Sequence, residues 1–307
     1  MKKSTGIKRF LAVLFTALFI LALVPTGDSY AATKKGWVTK KGHKYYYNDS
    51  GKQKKGFVTV GKNTYYFTPK AIKTKKGDAS VTINPKGSMV RGWFKLDGKY
   101  YYFNRSNGKM VKNKTIDGIK IAKDGTAKKT DYNEKKMNLM ILARERMQSL
   151  TKPSDSKEVK REACYDYVKD NFTKTAVNAD IDGKNQMVVL ENIRSRADWD
   201  IIFADFGLSK NHGDCVAWAC SVAYLIHECG YDDVYIVDDK KGTGYDSAHP
   251  AHAWAECEGK VFDAYFGSYK GKDSNYNTGY ACNKTGSFPD WPINKKNVAT
   301  GEATSAN

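Results

Sequence analysis

Three stretches of the first half of this chain follow one plan: "GWVTKKGHKYYYNDSGK", "GFVTVGKNTYYFTPK" and "GWFKLDGKYYYFNRSNGKM". Each opens on Gly and an aromatic residue (Trp37, Phe57 or Trp93), and an aromatic cluster follows about nine residues after that Gly (Tyr45 to Tyr47, Tyr65 to Phe67, Tyr101 to Phe103). A period near 20 residues marks small units that stack on one another, not one globular core. β-Branched and aromatic residues alternate within each unit and are bounded by Gly, Asn, Asp and Lys, which predicts short hairpins. A lone hairpin cannot bury its own apolar face, so neighbouring units must pile up. "VTINPKGSMVRG" reads as the tail of a degenerate unit, with Gly87 and Met89 standing where the third repeat has Gly108 and Met110. "TIDGIKIAKDGTAKK" reads as a terminal, atypical unit.

The Gly-Trp plus Tyr-Tyr-Phe signature resembles the cell-wall-binding repeats of Gram-positive bacteria, the choline- and glucan-binding type, over about a third of the chain. The resemblance implies that rings of adjacent repeats form shallow sites for choline or sugar faces. Trp37, Tyr46, Phe57, Tyr66, Trp93 and Tyr102 are the candidate ligand-binding residues. Cation–π attraction suits such rings to quaternary ammonium groups, and flat rings also suit sugar faces. The many lysines around them repel a bare cation and favour an anionic or neutral glycan. Stacked repeats also need large apolar side chains between layers, so some of these rings serve packing alone.

Charge divides the chain. Residues 33–130 hold 25 Lys and Arg against 5 Asp and no Glu, whereas residues 131–307 hold 22 against 27. The formal net charge of +18 is thus concentrated in the first half, which marks two domains. A basic segment of this kind suits an anionic partner such as a teichoic-acid-rich wall or an acidic polysaccharide. At the N-terminus, Lys2, Lys3, Lys8 and Arg9 precede the apolar run "FLAVLFTALFILALV", and Pro25, Gly27 and Ala31 follow it. That run falls short of the roughly 20 residues a membrane span needs. The pattern predicts a secretory signal peptide over residues 1–31. Export implies a disulfide-permissive setting and argues against nucleic acid as a partner and against stable membrane insertion after cleavage.

Beyond Thr130 the apolar spacing becomes helical in "NEKKMNLMILARERMQSL" and "SKEVKREACYDYVKDNF". "HGDCVAWACSVAYLIHECGY" predicts a further helix with Asp214 as N-cap and Gly230 just past its end. Cys215 then lies in the first turn, where the helix dipole and free N–H groups favour a thiolate. "DVYIVDD", "AHAWAECE" and "KVFDAYF" read as strands, the last two joined by Glu258-Gly259, with His252 on one and Asp263 on the next. A helix-borne thiol, a strand-borne imidazole and a neighbouring carboxylate meet the requirements of nucleophilic catalysis. The imidazole deprotonates or pairs with the thiol, and the carboxylate fixes its tautomer. Residues 293–307, with the polar tail "NKKNVATGEATSAN", are predicted to be disordered.

Gly213-Asp214-Cys215, His252-Ala253-Trp254 and Asp263 within "GKVFDAYF" resemble, in that order, the transglutaminase-like cysteine superfamily, papain-like in its logic. The resemblance implies an α+β domain over residues 131–292 with Cys215 as nucleophile, His252 as general base and acid, and Asp263 as orienting carboxylate. It implies no metal and no other cofactor. The backbone N–H of Cys215 is a candidate oxyanion donor, with Trp199 a candidate second one. His249, in the insertion "DDKKGTGYDSAHPA", is a rival imidazole. Cys164, Cys220, Cys229, Cys257 and Cys282 form an odd remainder whose pairing is not readable, with Cys220 and Cys229 expected in the core. No C-x-x-C pair points to zinc. "NADIDG" imitates the start of a calcium loop, but Val189 occupies the twelfth position, so the segment reads as a turn.

These readings combine into an N-terminal β-hairpin repeat solenoid over residues 33–130 followed by a transglutaminase-like α+β domain. The expected function is that of a secreted, cell-wall-associated thiol enzyme acting on amide or peptide carbonyls through a thioester. The acyl group would pass to an amine, as in a transglutaminase, or to water, as in a cysteine protease or amidase. A papain-like peptidoglycan endopeptidase and a non-catalytic wall-bound adhesin are the alternatives. The expected partners are wall polysaccharide or teichoic acid through the repeats, and a protein or peptide substrate.

Overall fold

Two-residue turns set the register of the repeat half. Strands β1 (Gly36–Lys40) and β2 (His43–Tyr47) meet through Lys41-Gly42, with φ of 50° and 76°, the type I′ geometry whose twist matches that of its strands. The hairpin recurs in β3 (Gly56–Val60) with β4 (Asn63–Phe67), and in β5 (Ile72–Lys76) with β6 (Ala79–Asn84). It recurs again in β7 (Gly92–Leu96) with β8 (Lys99–Phe103), and in β9 (Lys114–Ile116) with β10 (Ile119–Ile121). Main-chain bonds tie unit to unit: the N–H of Met89 donates to Lys44 O at 2.8 Å, and that of Met110 to Thr64 O at 2.8 Å. Met89 bridges Phe67 as Met110 bridges Phe103, so the two Gly-x-Met segments occupy equivalent places.

The computed structural model describes residues 34–174, 196–239, 252–279 and 293–306. The signal segment, the "NADIDG" turn, His249 and Cys282 lie outside the described residues.

Helix α1 (Asp131–Leu150) follows the repeats, and the Thr130 hydroxyl caps it by accepting from the N–H of Asn133 at 3.1 Å. Ser156 caps α2 (Lys157–Asn171) in the same way. Next come the short β11 (Thr173–Lys174), α3 (Trp199–Lys210), β12 (His212–Gly213) and α4 (Cys215–Glu228). Buried along nearly its whole length, α4 packs against α1, α2 and α3. Its remaining side is covered by a sheet built from β13 (Val234–Asp239), β14 (Ala253–Cys257), β15 (Lys260–Phe262), β16 (Tyr276–Thr278), β17 (Ile293–Asn297) and β18 (Ala303–Ala306). The strands run antiparallel in the order β16-β15-β14-β13-β17-β18, and α5 (Ala264–Lys270) follows β15. Among the described residues no helix is long and apolar enough to cross a membrane.

The C-terminal tail corrects the expectation of disorder. β17 pairs with β13, β18 pairs with β17, and Val298 is fully buried between them and the core. Lys296 is buried because its Nζ meets Asp200 Oδ1 at 2.5 Å and Ala197 O at 2.6 Å. A lysine in a polar string ordinarily marks solvent, and only its distant carboxylate partner makes burial tolerable.

The third repeat merges with the helical half. Trp93, Tyr102, Ile119 and Ile121 share one buried cluster with Met137 and Met140 of α1 and Leu225 of α4. Trp93 is 0% exposed, whereas its counterparts Trp37 and Phe57 are 42% and 45% exposed. Its indole N–H donates to Asp117 Oδ2 at 2.7 Å, and Asp117 Oδ1 lies 3.0 Å from His227 Nε2. The other ring nitrogen of His227 lies 2.7 Å from Tyr231 O, so the ring is held from both sides. Burial alone would raise the pKa of Asp117, but His227, Arg105 and Trp93 hold the carboxyl well below the usual carboxylate range. Arg105 completes the network at 2.9 Å from Glu228 and 3.8 Å from Asp117.

Removing one member of such a buried network leaves the others uncompensated. Asp117→Ala should cost about 3–5 kcal/mol of stability at pH 7, measured by urea denaturation. A loss below about 1 kcal/mol, the range of exposed pairs, would show that the network does not hold the repeats to the helices.

Candidate functional site

Cys215 owes its position to the segment before it. β12 pairs in parallel with β11, Lys174 opposite Gly213, and the chain then turns sharply into α4. Gly213 has φ of +149°, and a Cβ there would lie 2.6 Å from that of Ala217, so the turn requires glycine. Asp214 Oδ1 accepts from the N–H of Ala217 at 3.0 Å, and the Trp218 indole donates to Gly213 O at 3.0 Å. Cys215 is thereby fixed as the first residue of the helix and is half-buried, while Cys164, Cys220, Cys229 and Cys257 are buried. The sulfurs of Cys164 and Cys229 approach to 3.7 Å in the core between α2 and α4.

His252 directly precedes β14, and Asp263 directly follows β15. The Glu258-Gly259 turn folds these strands together with Ala255 opposite Phe262, which brings the two residues side by side. His252 Nε2 lies 2.6 Å from Asp263 Oδ2. Asp263 is not the strand residue that its apolar neighbours suggested: it is the N-cap of α5, its Oδ1 accepting from the N–H of Phe266 at 2.9 Å. One carboxylate oxygen therefore starts a helix and the other holds the imidazole. With Nε2 engaged by Asp263, Nδ1 is the remaining ring nitrogen, and Cys215 is close enough to act on the ring. Burial alone would lower the pKa of His252, but the Asp263 carboxylate and Cys215 outweigh it and raise the value to about 10. The sequence-predicted nucleophile, base and orienting carboxylate thus meet in one place.

An aromatic rim surrounds this group. Phe266 stacks on the His252 ring at 4.0 Å and 24°, and Tyr265 lies edge-on to Trp218 at 5.3 Å. The ammonium of Lys174 sits 3.5 Å above the Tyr269 ring. Burial, with help from Asp263, Tyr265 and Cys215, pushes the Tyr269 hydroxyl up to about 12. Sequence reasoning missed Tyr265, Phe266 and Tyr269; their spacing after Asp263 is helical, a signal masked by reading the segment as a strand. Trp199 does not join the site, since its ring packs near Phe203 and beneath Lys296 Nζ. Among the described residues no group of three or more His, Cys, Asp or Glu is placed to hold a metal ion.

A second kind of site lies between the repeats. Trp37 and Tyr46 of the first repeat meet Tyr65 and Phe67 of the second, with Trp37 ring distances of 5.3, 4.9 and 5.8 Å. Phe57 and Tyr66 meet Tyr101 and Phe103 in the same way, at 5.0, 5.3 and 6.4 Å from Phe57. In each cluster one ring is exposed and the rest form a wall, so Tyr66, at 4% exposure, lines the back. Trp93 and Tyr102 are corrections: both are buried against Ile119, Ile121 and α1, which stand where a further repeat would leave an open cluster. Tyr65 and Tyr101 were not foreseen. They point back to the preceding unit because alternate residues of a strand face opposite sides.

The proton on His252 has a thermodynamic signature. Its folded pKa of about 10 exceeds the ordinary 6.5, so its contribution to stability is full below pH 6.5 and is lost as pH rises to about 10. Ring-proton NMR should find His252 protonated through pH 8 and titrating near 10, with Asp263→Asn returning it toward 6.5. Titration near 6.5 in the intact protein would contradict this geometry.

Residues 35–52 and 55–69 match the family model for a putative cell wall binding repeat, and residues 84–114 match that for a choline-binding repeat. Among solved structures, the choline binding domain of Spr1274 from Streptococcus pneumoniae is 31% identical, over 32% of this chain and 99% of that one, with a TM-score of 0.25. Choline binding protein F from Streptococcus pneumoniae is 28% identical, over 31% of this chain and 34% of its own, with a TM-score of 0.15. The modular autolysin LytC from Streptococcus pneumoniae is 16% identical, over 31% of this chain and 28% of its own, with a TM-score of 0.14. This chain thus spans about a third or less of the latter two proteins. No curated protein matches. By the two family models, residues 35–52, 55–69 and 84–114 are cell-wall-binding repeats of the choline-binding type.

Proposed function

We propose that this chain is a wall-bound thiol enzyme acting on amide or peptide carbonyls, with Cys215 as nucleophile, His252 as acid and base, and Asp263 as the group that orients His252. The Asp263 carboxylate bonded to the His252 ring, with Cys215 acting on that same ring, carries this reading. Asp263 keeps His252 protonated beside the sulfur, which provides the proton used later in the reaction. The thiolate attacks the carbonyl carbon, the backbone N–H of Cys215 faces the developing oxyanion, and His252 passes its proton to the departing amine. The thioester is then resolved by an amine, giving acyl transfer, or by water, giving hydrolysis. The same three residues serve both, and the rim of Tyr265, Phe266 and Tyr269 controls which acceptor enters.

The repeats anchor the enzyme. The open clusters around Trp37 and Phe57 suit a quaternary ammonium group by cation–π attraction. The surrounding lysines, which oppose a bare cation, attract the phosphates of a polymer carrying choline, so the two features act on one ligand. A second reading, a non-catalytic wall-bound adhesin, is favoured by the fact that the family-model matches lie in the repeats.

The first test supplies the mature protein and its Cys215→Ala variant with a glutamine-rich protein, a biotinylated amine and purified wall, analysed by mass spectrometry. Amine incorporation or new peptide termini that depend on Cys215 would establish catalysis, and termini in the wall would make it a peptidoglycan endopeptidase. Neither product, together with no preferential labelling of Cys215 by iodoacetamide, would leave the adhesin reading. Trp37→Ala and Phe57→Ala should each weaken wall binding by about 1–2 kcal/mol, on the order of tenfold, in a sedimentation assay. Unchanged sedimentation would remove these clusters from the anchor.

A further inference from the structure

A cavity of about 260 Å³ opens where the turn of the first repeat, β6 and the start of β7 approach α1, α2 and the end of α4. Six cations line it: Lys44, Arg91, Arg105, Arg144, Lys152 and Lys160, against the single carboxylate of Glu228. That carboxylate is already taken by Arg105 at 2.9 Å. The buried guanidinium of Arg144 is spent on main-chain oxygens, donating to those of Arg91, at 3.1 Å, and Trp93. Lys44, Arg91, Lys152 and Lys160 are left without an ion-pair partner among the described residues. His43 is also in the lining, and burial first, then the neighbouring Arg91, hold its pKa below the ordinary imidazole value.

Positive charge gathered in a concave, half-buried wall repels itself and focuses its field on the space it encloses. A bound anion relieves that repulsion. Several donors on different elements suit a phosphate group, whose three or four oxygens can be shared among Lys and Arg, better than a carboxylate with two. The volume equals on the order of eight waters at about 30 Å³ each, enough for a phosphate together with the polyol or sugar that carries it.

We propose that this cavity is a phosphate-ester site, distinct from both the aromatic clusters and the Cys215 group, which holds a phosphate esterified to a polyol or sugar. The ester is either a free small molecule or one unit of a phosphodiester wall polymer. Only the polymer source rests on the wall-binding reading, and neither depends on catalysis by Cys215.

Calorimetry of the full chain with glycerol 3-phosphate, and separately with choline-free poly(glycerol phosphate), tests the site. The chain should bind glycerol 3-phosphate at one saturable site. Arg91→Gln, and the double variant Lys44→Gln/Lys152→Gln at exposed positions, should each weaken that binding about tenfold or more. Urea midpoints would verify that the variants are folded, and retention on immobilised choline should be unchanged. Binding of both probes with this sensitivity supports the site and admits the free ester. Binding of the polymer alone, with the same loss in the variants, supports it and assigns the polymer. Failure of both probes to bind, or binding that the variants leave unaltered, overturns it.

Discussion

The carboxylate of Asp117 joins the two kinds of structure in this chain. It sits in the two-residue turn of the last hairpin, accepts the indole proton of Trp93 from the third repeat, and faces His227 near the end of α4. Cys215 stands at the other end of that helix, about 20 Å away at 1.5 Å per residue. The helix that presents the thiol is therefore gripped from behind by the repeat array. Rigid support of this kind matters for any site in which a thiol, an imidazole and a carboxylate must keep their spacing to within about 0.5 Å.

Among the described residues two Asp–His pairs occur, and their surroundings give them opposite characters. His227 is closed on both sides, by Asp117 and by the carbonyl of Tyr231. His252 is closed on one side only. Asp263 holds Nε2, Nδ1 has no carbonyl or carboxylate upon it among the described residues, and the half-buried Cys215 acts on the same ring. The first pair is a fastener; the second lies beside a half-buried thiol. Asp263 is itself held in place by its work as a helix cap, which couples the orientation of His252 to the existence of α5.

Much of this was legible in the sequence because it rests on local pattern. The hairpins announce themselves by alternation and by Gly-containing turns, α4 by Asp214 and Gly230, and the Cys215, His252 and Asp263 set by its order on helix and hairpin. What could not be read depends on partners distant in the chain. Trp93 opens its repeat on the same Gly-Trp pair as Trp37, and its place at the end of the stack buries it. Lys296 looks solvated until Asp200 is placed beside it. Asp263 resembled a strand residue because Val261 and Phe262 precede it, although the next residues turn into a helix.

The contrast between Trp37 and Trp93 gives the array a direction. Each open cluster combines the Gly-aromatic start of one unit with the Tyr-x-Phe strand of the unit that stacks after it, whereas the last unit is closed by α1 and the β9–β10 hairpin. Any unit added ahead of Gly36 would contribute one more open cluster without disturbing the helices at the far end. The grip of such a protein on a repeating polymer is then set by how many units it carries, through effective concentration, and not by improving any single contact.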